Sequence, residues 1–484
     1  MGASPLAPEW LSFPGDVNAL RVPLWASGVE RAADGQIAVQ GVGVRELQAE
    51  YGTPLFVMDE DDFRSRARAF KQAYDGAFAD LCGGVDVYYA GKAFLSVDVA
   101  RWVTEEGLRL DTCSGGELAV ARRAGVPAAN LGLHGNNKSA AEIRLALDMD
   151  LGRIVVDSLD ELGRVASIAA ESGRRANVML RLTPGIHAHT HEFIATAHED
   201  QKFGLSMADG DAPEGGEPAD GVPEGKSPAA VAVARALASG SINLLGLHCH
   251  IGSQIFEAEG FALAAERLLT FLDTVRRDHG VELPELDLGG GYGIAYTEAD
   301  TPRAPAELAG AMAAVVGEVC RRLGLRVPRI SIEPGRAIVG PSTFTLYEAG
   351  VRKTVQVDTA EGTSPRRYVS VDGGMSDNAR PVLYDADYSA VLASRVTESE
   401  AIVSRVVGKH CESGDIVVRD VYLPEDVAAG DLVAVPATGA YCWVLASNYN
   451  YLGRPAVVAI RDGKARLIIR RETEDDLLAR DMGA

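Results

Sequence analysis

VDVYYAGKAF, residues 85–94, decides how the rest of the chain is read. Val85, Val87 and Tyr89 alternate with Asp86 and Tyr88, after which Ala90 and Gly91 carry the chain to Lys92. That alternation is the pattern of a buried strand. Two small residues at its end hand on to a lysine. Taken by itself, such a lysine is a surface residue that caps a strand. The strand ends that follow give it weight.

Strand-like runs recur at Val85–Ala90, Leu108–Thr112, Leu131–His134, Arg153–Val156, Asn177–Thr183, Leu244–His250, Glu285–Leu288 and Arg329–Ile332. Between them lie amphipathic, alanine-rich segments of helical length, among them Gly116–Ala124, Ala140–Asp148, Leu159–Ser172, Phe261–His279 and Ala306–Leu323. Alternating strand and helix units of this number predict an α/β fold, a TIM-like (β/α)8 barrel, expected over residues 51–340. The sixth unit is oversized. Its Gly-, Pro- and acid-rich run Met207–Pro228 reads as a flexible surface insertion without chemistry. After Gly340 the texture changes to short β runs separated by turn residues. A β-rich C-terminal domain is therefore expected over 341–484, with the N-terminal segment 1–50 joining it.

With 484 residues the chain is too long for one ordinary core, which fits two domains. Hydrophobic residues make up 47% and charged residues 24%, an ordinary balance for a globular protein. The formal net charge of −21 argues against nucleic acid and anionic membrane surfaces as partners. No apolar run reaches transmembrane length, and MGASPLAPEW lacks the pattern of a signal peptide, so a cytoplasmic location is expected. The six cysteines are scattered without a CxxC pair and read as free thiols.

In barrels of this kind the chemistry sits where the C-terminal strand ends meet. Lys92 ends the first strand. HIGSQ, with His250, Gly252 and Ser253, ends the sixth. GGGYG, with Gly290 and Gly291, ends the seventh, and EPGR, Glu333 to Arg336, ends the eighth. Glycines allow close backbone approach, so their amide N–H groups can hold a phosphate. A lysine amine, a phosphate cradle and a carboxylate together suggest pyridoxal phosphate. The lysine would condense with the cofactor aldehyde, and Glu333 would keep the pyridine nitrogen protonated. His250 could stack on the ring; His248, two residues earlier, reads as structural.

YAGKAF, HCHIGSQ, LGGGYG, EPGR, CESGD (Cys411–Asp415) and GAY (Gly439–Tyr441) occur in this order across both domains. In these motifs the chain resembles the fold-type III pyridoxal-phosphate decarboxylases, from about Gly52 to Ile469. The resemblance implies a barrel with a C-terminal β domain, and a homodimer whose active sites are shared across the interface. It implies Lys92, His250, Gly252, Ser253, Gly290, Gly291, Glu333, Pro334, Gly335, Arg336 and Tyr441 as cofactor-binding residues. Lys92, His250, Glu333 and Cys411 would be catalytic, with Cys411 donating a proton after carbon dioxide leaves. Arg336, Arg380, Tyr384, Glu412 and Tyr441 would bind substrate.

Within that family, charge points to the substrate. Two arginines suit a distal carboxylate and Glu412 suits a distal ammonium. Ornithine has no distal carboxylate to offer. The expected reaction is decarboxylation of meso-2,6-diaminopimelate to L-lysine and carbon dioxide. The alternatives are another decarboxylase of this family or a non-catalytic relative. His187, His189 and His191 alternate in HAHTHEF and could bind zinc. Their place after the fifth strand favours a lid or substrate-gating loop, and no metal is expected.

Overall fold

The computed structural model describes residues 4–185, 201–208, 225–360 and 362–483. His187, His189, His191 and most of the 207–228 insertion lie outside the described residues. The chain divides into two compact units. One comprises Ala67–Gly293 and Arg303–Gly335; the other comprises Met1–Arg66, Ile294–Pro302 and Arg336–Ala484.

The first unit is the expected barrel. Its strands are β1 (Val85–Ala90), β2 (Arg109–Thr112), β3 (Leu131–Leu133), β4 (Arg153–Val156), β5 (Ala176–Thr183), β6 (Ile242–His248), β7 (Glu285–Asp287) and β8 (Arg329–Ile332). Each pairs in parallel with its neighbours; β8 pairs with β1, and β4 with β5, which closes the ring. Buried faces on both sides explain the near-continuous apolar runs of these strands. Serines start the helices that follow. Ser96, Ser114, Ser139, Ser158 and Ser227 each accept a backbone N–H in the first turn, satisfying donors that the helix leaves open. Gly125, Gly280 and Gly324 end helices in the left-handed conformation.

The barrel interior holds a polar cluster that the periodicity did not reveal. Arg153 is almost wholly buried and donates to Asp287 Oδ2 at 2.5 Å and Ser331 Oγ at 3.0 Å. Its guanidinium lies 3.6 Å from the centroid of the Tyr88 ring. A buried arginine is tolerated only when paired and hydrogen-bonded, and these partners meet that requirement.

The second unit is mostly β. Its main sheet includes Thr343–Thr359, Gly362–Val371, Ala401–Val407, Ile416–Pro424, Leu432–Val435, Ala456–Arg461 and Lys464–Ile469. Leu55–Asp59 falls inside the 51–340 stretch read from sequence as barrel. Here it lies between Thr343–Thr359 (antiparallel) and Ala456–Arg461 (parallel), in the sheet of the other unit. All five of its residues are buried. A buried run identifies a strand without saying which sheet receives it. The residues before it pack on the same sheet: Trp25 meets Phe344 edge-on at 5.7 Å, and Ile37 N–H bonds Ala393 O at 2.8 Å.

Candidate active site

In the barrel unit, Lys92 sits in a single 3₁₀ turn, Gly91–Ala93, directly after β1. Its neighbours Gly91 and Ala93 are buried while Lys92 itself is exposed, so the side chain leaves the packed strand end. Its ammonium acts electrostatically on Asp111, at the end of β2, and on His250. Burial and then that ammonium hold the His250 imidazole well below its ordinary pKa, in the neutral form. His250 Nδ1 accepts the Gly290 N–H at 3.4 Å.

The loops after β6 and β7 approach so closely that glycine is required. A Cβ at Gly289 would lie 2.3 Å from Cys249 O, one at Gly290 2.2 Å from Glu333 O, and one at Gly291 2.4 Å from Gly252 O. Gly291 has φ +106° and Gly252 φ +147°. A bridge between Ile255 and Tyr292 fixes the two loops in parallel. Ser253, next to Gly252, is half-buried. On the β8 side, Pro334 O accepts the Ala90 N–H, and a Cβ on Gly335 would meet Ala90 at 2.9 Å.

Glu333 is buried at the end of β8. Its Oε1 lies 2.9 Å from His248 Nε2 and 3.4 Å from His134 Nε2, the latter one residue beyond β3. Burial raises the Glu333 pKa, but His248 and His134 more than offset it, so the carboxyl is held below its ordinary value. His248 was read from sequence as structural. Its ring reaches Glu333 because residues 248 and 333 end the sixth and eighth strands of a closed barrel. Among the described residues His134, His248 and Glu333 place one ligand atom each within 4.8 Å of one another. Such spacing could also hold a cation; of the three, His248 and Glu333 share a hydrogen bond.

A second cluster lies wholly in the sheet unit. Arg336 Nη1 donates to Tyr296 OH, and its guanidinium is 4.7 Å from the Tyr441 ring centroid. Arg380 is buried at the start of the short helix Arg380–Tyr384. It donates to Tyr388 OH at 2.6 Å and lies 4.4 Å from the Tyr296 ring centroid. Tyr296 therefore joins the two arginines, and neither Tyr296 nor Tyr388 was singled out from sequence. Tyr384, on the same helix as Arg380, is instead 59% exposed and does not join this cluster.

Cys411 and Glu412 are exposed on a tight turn. Asp415 clamps it, accepting the N–H groups of His410 at 2.8 Å and Met375 at 2.6 Å. The His410 ring bonds Ser376 Oγ at 2.8 Å and Asn450 Oδ1 at 3.2 Å, and Asn450 Oδ1 also accepts the Cys411 N–H. A thiol and a carboxylate are thus displayed to solvent from a firmly held backbone.

A lysine after β1, a loop pair in which side chains cannot be accommodated, and a buried carboxylate held charged suit pyridoxal phosphate. Residues 60–340 match the family model described as "Pyridoxal-dependent decarboxylase, pyridoxal binding domain", and residues 343–439 match the one described as "Pyridoxal-dependent decarboxylase, C-terminal sheet domain". The chain belongs to the pyridoxal-dependent decarboxylases of fold type III. Diaminopimelate decarboxylase of Mycobacterium tuberculosis is 50% identical over 94% of this chain and 97% of its own length. That of Bacillus subtilis is 43% identical over 93% and 95%. The crystal structure of diaminopimelate decarboxylase from M. jannaschii in complex with L-lysine superposes with a TM-score of 0.83 at 30% identity, covering 94% of this chain and 98% of that one.

Proposed function

We infer that the protein decarboxylates meso-2,6-diaminopimelate to L-lysine and carbon dioxide. The single observation that carries the substrate reading is Arg380. Its guanidinium is buried between two tyrosines, and among the described residues no carboxylate pairs with it. A buried cation without a counter-ion is costly, and a substrate carboxylate removes that cost. Diaminopimelate brings a distal carboxylate, whereas ornithine does not.

Bound pyridoxal phosphate supplies the electron sink for the carbanion left when carbon dioxide departs. Lys92 provides the amine that anchors the cofactor aldehyde. Neutral His250 offers a flat ring for the cofactor face. Gly252, Ser253, Gly290, Gly291 and the backbone of Pro334–Arg336 serve the phosphate, with the Tyr441 hydroxyl. Charged Glu333 keeps the ring nitrogen protonated. Arg336, Arg380, Tyr384 and Tyr441 receive the substrate, and Glu412 its distal ammonium. Cys411 returns a proton to carbon.

Cys411, Glu412 and Tyr384 are all exposed, as are Leu383 and Tyr451. That exposure supports a homodimer in which these residues serve the partner's site. We place the enzyme in the cytoplasm, where the six cysteines, all free, would stay reduced. No described helix is long and apolar enough to cross a membrane.

The test is product analysis. Purified protein with pyridoxal phosphate should release carbon dioxide and L-lysine from meso-diaminopimelate, and neither ornithine nor arginine should be turned over at a comparable rate. Borohydride reduction and peptide mapping should place the cofactor on Lys92. Equal turnover of ornithine would overturn the substrate reading, and a protein that takes up no cofactor would instead be a non-catalytic relative.

A further inference from the structure

His248 is fully buried and, among the described residues, has a single hydrogen bond, between Nε2 and Glu333 Oε1 at 2.9 Å. Its Nδ1 is buried with no partner among the described residues. A proton on Nδ1 would be a stranded donor, which costs more than an unused lone pair. A proton on Nε2 makes the ring the donor to Glu333, the arrangement these surroundings favour. His134 is also close to Oε1, but its Nε2 makes no hydrogen bond there and lies nearer Asp111 Oδ1, at 3.1 Å. Glu333 Oε2 takes part in neither contact, so one oxygen is pinned and the other is left out of the pair.

Without His248, burial and the nearby Asp111 carboxyl would push a proton onto Glu333, with His134 alone opposing them. A protonated Glu333 could no longer hold a proton on a ring nitrogen. We propose that His248 is a positioning residue for the reaction: its Nε2–H pins Glu333 Oε1, keeps the carboxylate charged and leaves Oε2 for the cofactor's ring nitrogen. The inference rests on the cofactor reading above and adds to it the residue that sets the strength of the electron sink. No part of it requires His248 to touch cofactor or substrate.

Two amide replacements separate this role from mere packing. Glutamine places a donor about where Nε2 stands. Asparagine places one about where Nδ1 stands and cannot reach Glu333. Apoprotein of the parent, His248→Gln and His248→Asn is titrated with pyridoxal phosphate and with its 1-deaza analogue, in which carbon replaces the ring nitrogen. The ratio of the two affinities reads the Glu333 contact without reference to turnover. The parent and His248→Gln should both prefer the nitrogen-containing cofactor. In His248→Asn that preference should fall by about tenfold or more, equivalent to a shift of one pKa unit or more in the coupled groups. In parallel, kcat should fall with little change in KM, and Glu333→Gln combined with His248→Asn should be no worse than Glu333→Gln alone.

A parent that shows the preference together with a His248→Asn variant that keeps it would overturn this inference and leave the cofactor reading standing. A parent without any preference would overturn the role given to Glu333, and this inference with it. Should His248→Asn fail to fold, a His248→Gln variant that folds but has lost the preference counts against the proposal, and one that keeps it counts in favour.

Discussion

Arg380 and Tyr388 share a hydrogen bond of 2.6 Å inside a buried cluster that offers the guanidinium tyrosines on two sides and no carboxylate among the described residues. Replacing Arg380 with methionine keeps most of the volume and removes the charge. Charge-assisted bonds to a carboxylate contribute about 1.5–3 kcal/mol, so KM for meso-diaminopimelate should rise about 10- to 100-fold. Steady-state kinetics checks this. A KM unchanged within twofold would mean that the distal carboxylate binds elsewhere.

Lys92→Ala should abolish carbon dioxide release, because no other amine stands at the end of β1 to anchor the cofactor. Glu412→Ala should be nearly inactive for a different reason, loss of a substrate contact. If each site of a dimer takes Lys92 from one subunit and Glu412 from the other, mixing the two variants regenerates one intact site per heterodimer. About a quarter of the parent activity should return on random reassortment, as the two-fold symmetry of such an assembly requires. Carbon dioxide release from mixed, refolded subunits reads it directly; no recovery would count against a shared site.

The parts of this molecule that were legible in sequence are those built from local pattern. All eight barrel strands follow from apolar runs, and the strand-end motifs at Lys92, His250, Gly289–Gly293 and Glu333 follow from glycine and charge placed against that rhythm. What was not legible depends on closure of the ring. Arg153 opens a strand and looks like a solvent residue, yet it is buried against Asp287 and Ser331 from two other strands. His248 meets Glu333, which is 85 residues away. Tyr296 lies just after GGGYG, but its partner Arg336 comes 40 residues later in EPGR and Arg380 from beyond the barrel sequence. Periodicity places residues on a face and cannot say which face they meet.

Gly291→Ala tests the loop pair. The new Cβ would lie 2.4 Å from Gly252 O, and the backbone φ of +106° disfavours any L side chain. The cost should be at least about 1–3 kcal/mol from the conformation alone. Relief requires the loops after β6 and β7 to separate, so cofactor affinity should fall together with the unfolding midpoint. Fluorescence titration with pyridoxal phosphate and denaturant unfolding measure the two. Full affinity in the variant would show that this backbone is not part of the phosphate cradle.

Asp111 gives the apoprotein a pH dependence of known sign. It is the last but one residue of β2, burial lifts its carboxyl to about 7, and the neighbouring Arg153 only partly opposes that. As pH rises above 4 the unfolded chain gives up this proton first, while the folded chain keeps it until near 7. The contribution to stability is therefore complete below the unfolded value and is lost as pH climbs through 7. Asp377, buried beside the Tyr347 hydroxyl and also raised to about 7, adds a loss of the same sign. An amide does not titrate, so Asp111→Asn removes one of the two losses. From pH 4 to pH 8 the stability of the variant relative to the parent should improve by on the order of a few kcal/mol. Denaturant unfolding of both apoproteins across that range measures the gap; a gap that stays constant would mean that Asp111 is charged throughout.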